Sequence, residues 1–226
     1  MSPTTSNPPP PNNTTLQVDF AWLKMRSLIT RANDPTNTPL YTITNKALAP
    51  HLVFRKGSDT KSQPFGTGTL HPVTIHADCT LNTHAMKVKA LKRWQTSYTH
   101  LSHSFAPRGS NTPMEMTWTS TSDWKNWDFI CLNDKQEAVA KFVGNIWGLK
   151  RIGWIEFMGE EGEVTEEMRD EIVVTGLTLF YQMVLRASNF LNFVGAVFAK
   201  PGRLDVPTAG GGDGREGVEL DVKKTR

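Results

Sequence analysis

The stretch that most constrains the fold is Ile172–Leu185, which reads IVVTGLTLFYQMVL and contains no charged residue. Thr165 is suited to cap the amino end of a helix through its hydroxyl, and Arg186 suits the negative carboxyl end of the helix dipole. On a helix of about 165–187, apolar residues cover nearly the whole circumference, whereas a surface helix carries a single apolar stripe. Such a helix must be covered on every side, either by lipid or by protein.

Cover by protein is favoured because the uncharged stretch is 14 residues long, whereas a helix needs about 20 apolar residues to span a bilayer. The alternative exists because residues 189–199 are also largely apolar, so that Ile172 to Ala199 can be read as one membrane span. Arg186, Asn189 and Asn192 interrupt that stretch and argue against a span.

Short segments in which apolar and polar residues alternate precede the helix and predict strands. They are residues 40–44, 52–55, 73–81, 86–90, 114–119, 128–132, 137–143 and 152–157. Many short strands followed by a wholly apolar helix predict a mainly β fold, an antiparallel closed β-barrel wrapped around one buried hydrophobic C-terminal helix. Closure of the barrel also removes the exposed edges of the sheet.

The sequence divides the chain into four regions. Residues 1–15, rich in proline, and residues 200–226, rich in glycine and charge, are predicted to be disordered tails, and residues 39–199 form the barrel domain. The segment 16–38 has two interpretations. A helix would align Val18, Trp22, Met25 and Ile29, and a strand would alternate Leu16, Val18, Phe20 and Trp22. A basic amphipathic helix here would suit an anionic membrane, and packing on the domain is the alternative.

The segment Val73–Leu81 and the segment Met86–Ala90 are predicted to pair as a hairpin, with Lys87 and Lys89 about 7 Å apart on its solvent side. Lysine and arginine bind phosphate, and tryptophan favours the headgroup boundary of a membrane. The candidate site for anionic lipid therefore comprises Lys87, Lys89, Lys92, Arg93 and Trp94. The alternative is a solvated sheet face that keeps the protein monomeric.

Charge is unevenly distributed along the chain. Residues 42–108 contain nine Lys or Arg and two Asp, a net charge of +7, whereas residues 111–199 contain seven Lys or Arg and thirteen Asp or Glu, a net charge of −6. If the two parts lie on different faces, one face attracts anions; alternatively, the parts attract each other within the barrel. All six histidines fall in the basic part, so acid would strengthen its positive field. Nucleic acid is not expected, because exposed aromatic residues are scarce among the basic ones and the acidic part repels phosphate.

Motifs of common enzymes and of phosphate-binding loops are absent from the sequence, so no enzymatic activity and no cofactor are predicted. Gly66 and Gly68 are assigned to a turn. His100 and His103 have a spacing that suits a metal only on a helix, and the segment is read as a loop, so no metal site is predicted. Cys79 and Cys131 are expected to be buried thiols, with a disulfide as the minor alternative. No signal peptide is recognised, which predicts an intracellular protein, cytoplasmic or at the membrane periphery.

Three segments carry a family resemblance: YTITNKALAPHLVFRKG, DFICLNDKQEAVAKFVG and EEMRDEIVVTGLTLFYQMVL. They resemble the tubby C-terminal-like superfamily, which includes tubby-like proteins, the plant LURP-one-related proteins, phospholipid scramblases and small fungal proteins. The resemblance covers roughly residues 39–198. It implies a barrel of about twelve strands around one helix, with phosphoinositide or membrane association in some members. It carries over no ligand residues and no calcium-binding acidic cluster of the scramblase kind.

Three functional hypotheses follow. The first is a non-enzymatic barrel that binds anionic phospholipid or phosphoinositide headgroups through its basic face. The second is a small-ligand carrier or enzyme with a cavity inside the barrel, which requires an empty interior. The third is a scaffold whose tails recruit a protein partner, for instance through the prolines of Pro8–Pro11.

Overall fold

The computed structural model describes residues 15–72, 74–92, 96–107, 109–110, 112–120, 127–144, 150–159 and 163–188. The predicted tails apart from Thr15, together with Val73, Arg93 and Trp94, lie outside the described residues. The first six strands are β1 Thr15–Ala21, β2 Arg26–Arg31, β3 Tyr41–Asn45, β4 Leu52–Lys56, β5 Gly66–Leu70 and β6 Ala77–Leu81. The next six are β7 His84–Ala90, β8 Ser97–Ser102, β9 Met114–Thr119, β10 Trp127–Leu132, β11 Ala138–Gly144 and β12 Arg151–Phe157. They are followed by the helix α1, Glu166–Ser188.

All twelve of these strands belong to one closed antiparallel barrel, in which each strand pairs with its neighbours in sequence and β1 pairs with β12. Closure can be followed at Val18 of β1, which lies opposite Ile29 of β2 on one side and Gly153 of β12 on the other. Closure satisfies the backbone groups that an open edge strand would expose. The predicted fold class, a mainly β closed barrel with one C-terminal helix, is confirmed.

The segment before residue 39 belongs to the barrel. Of the two interpretations of residues 16–38, the strand is correct: Leu16, Val18 and Phe20 are buried and the residues between them are more exposed, as a strand with one face on the core requires. β1 and β2 then supply the strands on which the barrel closes, so the closed sheet begins at Thr15.

The helix α1 occupies the lumen, and every residue from Asp170 to Phe180 is buried. Its side chains reach the wall on several sides through hydrogen bonds to Ser27 on β2, Tyr41 on β3, His100 on β8 and Trp118 on β9. Its amino end is capped as predicted, because the backbone N–H of Met168 donates to the hydroxyl of Thr165 at 3.3 Å. Among the described residues, no helix combines the length and the hydropathy that crossing a membrane requires.

Two glycines allow the helix to lie close to the wall. The assignment of Gly66 and Gly68 to a turn is wrong, because both are in strand β5 and face α1. A Cβ atom on Gly66 would lie 2.7 Å from Cγ2 of Val174, and one on Gly68 would lie 3.0 Å from Cγ2 of Thr178. Backbone approach of this kind is a common reason for glycine within a strand.

The lumen also holds a polar cluster that the sequence does not reveal. Glu171, which is 1% exposed, accepts a hydrogen bond from the hydroxyl of Ser102 at 2.9 Å, and Nε2 of His100 lies 3.0 Å from its other carboxylate oxygen. Burial alone would raise the pKa of Glu171, but the hydrogen bonds from His100 and Ser102 lower it overall. The assignment of His100 to a loop is wrong, because it is a fully buried residue of strand β8.

The barrel has two distinct ends. The lower end, where α1 begins, is marked by Asp170, which accepts a hydrogen bond from the Tyr41 hydroxyl at 2.7 Å. The upper end, where α1 finishes, is marked by Gln182, whose side chain bonds the backbone of His71, and by Arg186, which donates to the Tyr98 hydroxyl. Because the strands alternate in direction, the β1–β2, β3–β4, β5–β6, β7–β8, β9–β10 and β11–β12 connections all lie at the upper end.

Candidate functional site

The predicted lysines lie on the hairpin of β6 and β7. Asn82 and Thr83 form its turn with φ angles of +46° and +76°, a geometry typical of tight hairpins. Lys87 is exposed and Lys89 is partly exposed, both on the outer face of β7, while Val88 between them is buried. Lys92, also exposed, follows β7 in the connection to β8 at the upper end. The three lysines therefore follow one line up the outer wall.

The outer wall at these lysines is of mixed charge. Lys87 lies opposite Asp78 in the β6–β7 register, and the carboxylate of Asp78 lies 2.7 Å from Nε2 of His71. Burial, and next the nearby charges of Lys87 and Lys89, lower the pKa of His76. A carboxylate in the middle of the predicted site weakens the attraction of the wall for an anion.

A groove of about 350 Å³ runs across the outer face of β5, β6 and β7. Its polar lining includes Thr67, Thr69, Thr80, Asp78 and Lys87. The hydroxyls of Thr67 and Thr80 already bond each other at 2.6 Å, so part of the hydrogen-bonding capacity of the groove is used within the protein. The groove can therefore offer an incoming polar group few remaining donors.

The connections at the two ends of the barrel differ in charge. In the described parts of the upper connections there are four lysines and no carboxylate; the lysines are Lys24, Lys46, Lys92 and Lys150. The described parts of the lower connections contain five carboxylates, Asp34, Asp59, Asp134, Glu137 and Glu163, and two lysines, Lys61 and Lys135. For the described residues of these connections, the net charges are therefore +4 at the upper end and −3 at the lower end. The charge asymmetry thus follows the barrel axis, in addition to the division along the sequence.

The upper end also carries the large apolar side chains that are exposed. Within the described part of the chain these are Leu23, Met25 and Leu48, exposed by 102%, 53% and 81%. Leu23 and Met25 belong to the turn between β1 and β2, and Leu48 belongs to the β3–β4 connection. The two connections are neighbours, because the backbone N–H of Asn45 donates to the carbonyl of Met25 at 3.0 Å. Together they form one apolar and basic surface, which we call the upper rim: residues 22–26 and 46–50.

Three histidines lie in the upper connections: His51 in the β3–β4 connection, and His71 and His76 in the β5–β6 connection. His51 accepts a hydrogen bond at Nδ1 from the backbone N–H of Leu70 at 3.0 Å, and His76 accepts one from the N–H of Ala90 at 3.1 Å. Burial, followed by the charge of His71, lowers the pKa of His51. His51 and His76 are therefore neutral at pH 7, when their Nδ1 atoms act as acceptors.

Sequence reasoning found part of this arrangement and missed the rest. It identified Lys87, Lys89 and Lys92, but its option of membrane contact in residues 16–38 required a basic amphipathic helix, whereas most of this segment forms β1 and β2. It missed Leu23 and Leu48, because an apolar residue in a short connection is ordinary until its exposure is known. Comparison of the chain with protein-family models, with curated proteins and with solved structures gives no match.

Proposed function

We propose that the protein is a non-enzymatic barrel that binds the surface of anionic phospholipid membranes through its upper end. The observation that carries the proposal is the polarity of charge along the axis, with +4 in the described upper connections and −3 in the described lower ones. The resemblance to the tubby C-terminal-like superfamily also supports membrane binding, since some members associate with phosphoinositides or membranes.

Electrostatics would both hold and orient the barrel. Each lysine near an anionic surface contributes about 1 kcal/mol, and the contribution decays within a Debye length of about 8 Å at physiological salt. The lysines of the upper end would be attracted while the carboxylates of the lower end would be repelled. The barrel therefore stands on the membrane with its axis close to the membrane normal and with α1 pointing its carboxyl end at the lipid.

The lysine line of the outer wall extends the site. Lys92 lies at the upper end itself, and Lys89 is the nearest outward residue of β7 below it. A headgroup with several phosphates, such as a phosphoinositide, projects further from the bilayer than phosphatidylserine and would reach these side chains. Lys87 is lower on the wall and faces Asp78, so it contributes least.

A carrier or an enzyme is less well supported. A carrier needs an empty lumen, and the lumen is filled by α1, with residues 170–180 buried. Of the described side chains, Glu171, His100 and Ser102 most resemble a catalytic group. Their hydrogen bonds converge on the carboxylate, so the serine hydroxyl is not activated by the histidine, and they are at most 1% exposed. The hydrogen bonds of the cluster satisfy the buried carboxylate of Glu171.

The experiment measures retention of the protein by sedimented vesicles at low salt. Phosphatidylcholine vesicles with phosphatidylserine are compared with phosphatidylcholine alone, and vesicles with a phosphoinositide at matched surface charge test the preference for that headgroup. The wild type is expected to bind the anionic vesicles only. Reversing two upper lysines in K24E/K46E is expected to lower the affinity at least about 30-fold.

The matched control is K61E/K135E, which makes the same change in charge at the lower end. It is expected to bind like the wild type. An equal loss for both variants, or equal binding of the wild type to neutral vesicles, would contradict the proposal. The variant K87E/K89E tests the outer wall, where we expect a smaller loss than for K24E/K46E.

A further inference from the structure

The upper rim places large apolar side chains in water. Leu23 is 102% exposed and Leu48 is 81% exposed, and together with Met25 they are the exposed large apolar residues of the described part of the chain. Leaving such side chains in water forgoes the free energy that burial would provide. Single exposed leucines are common on proteins, but these two lie on adjacent connections of the same barrel end.

The backbone holds the two connections together. Arg26 lies opposite Thr44 in the β2–β3 register, and the bond from Asn45 to Met25 continues the pairing beyond the strand. Met25 has a φ angle of +47°, a left-handed conformation that closes the turn and fixes the direction of the side chains next to it. Leu23 is thus presented by a short, structured turn.

The rim is amphipathic in a way that matches a lipid boundary. Lys24 and Arg26 alternate with Leu23 and Met25, and Lys46 lies two residues before Leu48. Long basic side chains can keep their charge at headgroup level while the apolar side chains beside them lie deeper. An apolar groove on a partner protein would accept the leucines but would not require the basic residues Lys24, Arg26 and Lys46 next to them in the sequence.

We infer that the upper rim inserts Leu23, Met25 and Leu48 below the headgroups of an anionic bilayer. The inference rests on the proposed function and adds to it a depth of insertion and an apolar component of binding. Electrostatic attraction brings the rim to the surface and fades as salt is added, whereas the buried leucines resist salt. Insertion of the rim also brings Ser188, the last residue of α1, toward the bilayer, since α1 finishes at the same end.

The first test places a polarity-sensitive fluorophore on the rim. Leu48→Cys is labelled on the full chain, and Ser58→Cys, exposed on the lower β4–β5 connection, is the matched control. Cys79 and Cys131 are buried and free, so they do not compete for the label. With phosphatidylserine-containing vesicles the emission of the label at position 48 shifts to the blue, while the label at position 58 does not respond. A label at position 48 that still reports water while the vesicles retain the protein overturns the inference.

The second test removes the apolar side chains and keeps every charge. The variant L23S/L48S is expected to fold like the wild type because both side chains are exposed, which its thermal unfolding checks. Its binding at physiological salt falls about tenfold or more, while part of its binding at low salt remains. Binding equal to that of the wild type at both salt concentrations refutes insertion and leaves the proposed function intact. If neither phosphatidylserine-containing nor phosphoinositide-containing vesicles retain the wild type, the proposed function itself fails, and the inference fails with it.

Discussion

The close contact between β5 and α1 leads to a double-mutant prediction. A Cβ atom added in Gly68→Ala would lie 3.0 Å from Cγ2 of Thr178 and 3.2 Å from Cδ1 of Leu52, and it would also collide with the Thr178 hydroxyl. Overpacking of this kind costs about 1–3 kcal/mol. The lower entropy of the unfolded chain with alanine returns about 0.4–1 kcal/mol. We therefore expect Gly68→Ala to lower the free energy of unfolding by about 1–2 kcal/mol.

Thr178→Ala removes the two nearest of the three atoms that the new methyl group would meet, Oγ1 and Cγ2 of Thr178. We expect the loss of these buried groups to cost about 1 kcal/mol. The double variant should therefore be more stable than the sum of the single effects, by at least about 1 kcal/mol. Urea unfolding followed by tryptophan fluorescence measures all four proteins. The pair Thr69→Ala and Thr178→Ala is the control, because Thr69 faces outward and should be additive with Thr178. Additivity of Gly68→Ala and Thr178→Ala within about 0.5 kcal/mol would refute the placement of the helix against β5.

Three further predictions concern buried or half-buried groups. Glu171→Ala removes the shared partner of two buried side chains and is expected to lower the free energy of unfolding in urea by about 3–5 kcal/mol. The control Glu167→Ala, on the exposed first turn of α1, should lower it by less than about 0.5 kcal/mol. Similar losses for both variants would argue against the cluster. Burial lowers the pKa of His51 and His76 from their ordinary value of 6.5, so the unfolded chain binds more protons below that pH. Their contribution to stability is complete above about pH 6.5 and is lost as the pH falls. Thermal unfolding at pH 7.5 and at pH 5.5 measures this loss of stability. The double variant His51→Gln, His76→Gln should lose less stability between the two pH values than the wild type does. Both cysteines should resist a thiol reagent until urea unfolds the chain, because burial raises the pKa of Cys79 to about 12 and that of Cys131 well above its ordinary value; rapid labelling of the native protein would contradict their burial.

The sequence was most informative where apolar residues repeat with a clear period. The alternation in Ala77–Leu81 and the uncharged stretch Ile172–Leu185 predicted a strand and a buried helix, because burial on one face or on all faces leaves a direct trace in composition. The strand Gly66–Leu70 could not be recognised in this way, since a strand whose inward residues are glycines shows no apolar alternation. Glycine is needed at these positions because α1 packs closely against β5, and this contact between distant parts of the chain leaves no local pattern in the sequence.

The candidate site was less accessible from sequence. Lys87 and Lys89 could be placed on one face because side chains two residues apart on a strand point to the same side of the sheet. The neighbourhood of Leu23 and Leu48 depends on the pairing of β2 with β3, since these two strands separate the connections that carry them along the chain. Glu171 and His100 are 71 residues apart, and no local pattern indicates that their side chains meet.

Hydrogen–deuterium exchange of the full chain, with and without phosphatidylserine-containing vesicles, tests the orientation of the barrel most directly and needs no variant. Binding through the upper end predicts that vesicles slow exchange in residues 22–26 and 46–50, while residues 57–62 and 133–137 at the lower end exchange at unchanged rates. Slower exchange confined to the lower connections, or the same small change at both ends, would contradict the account.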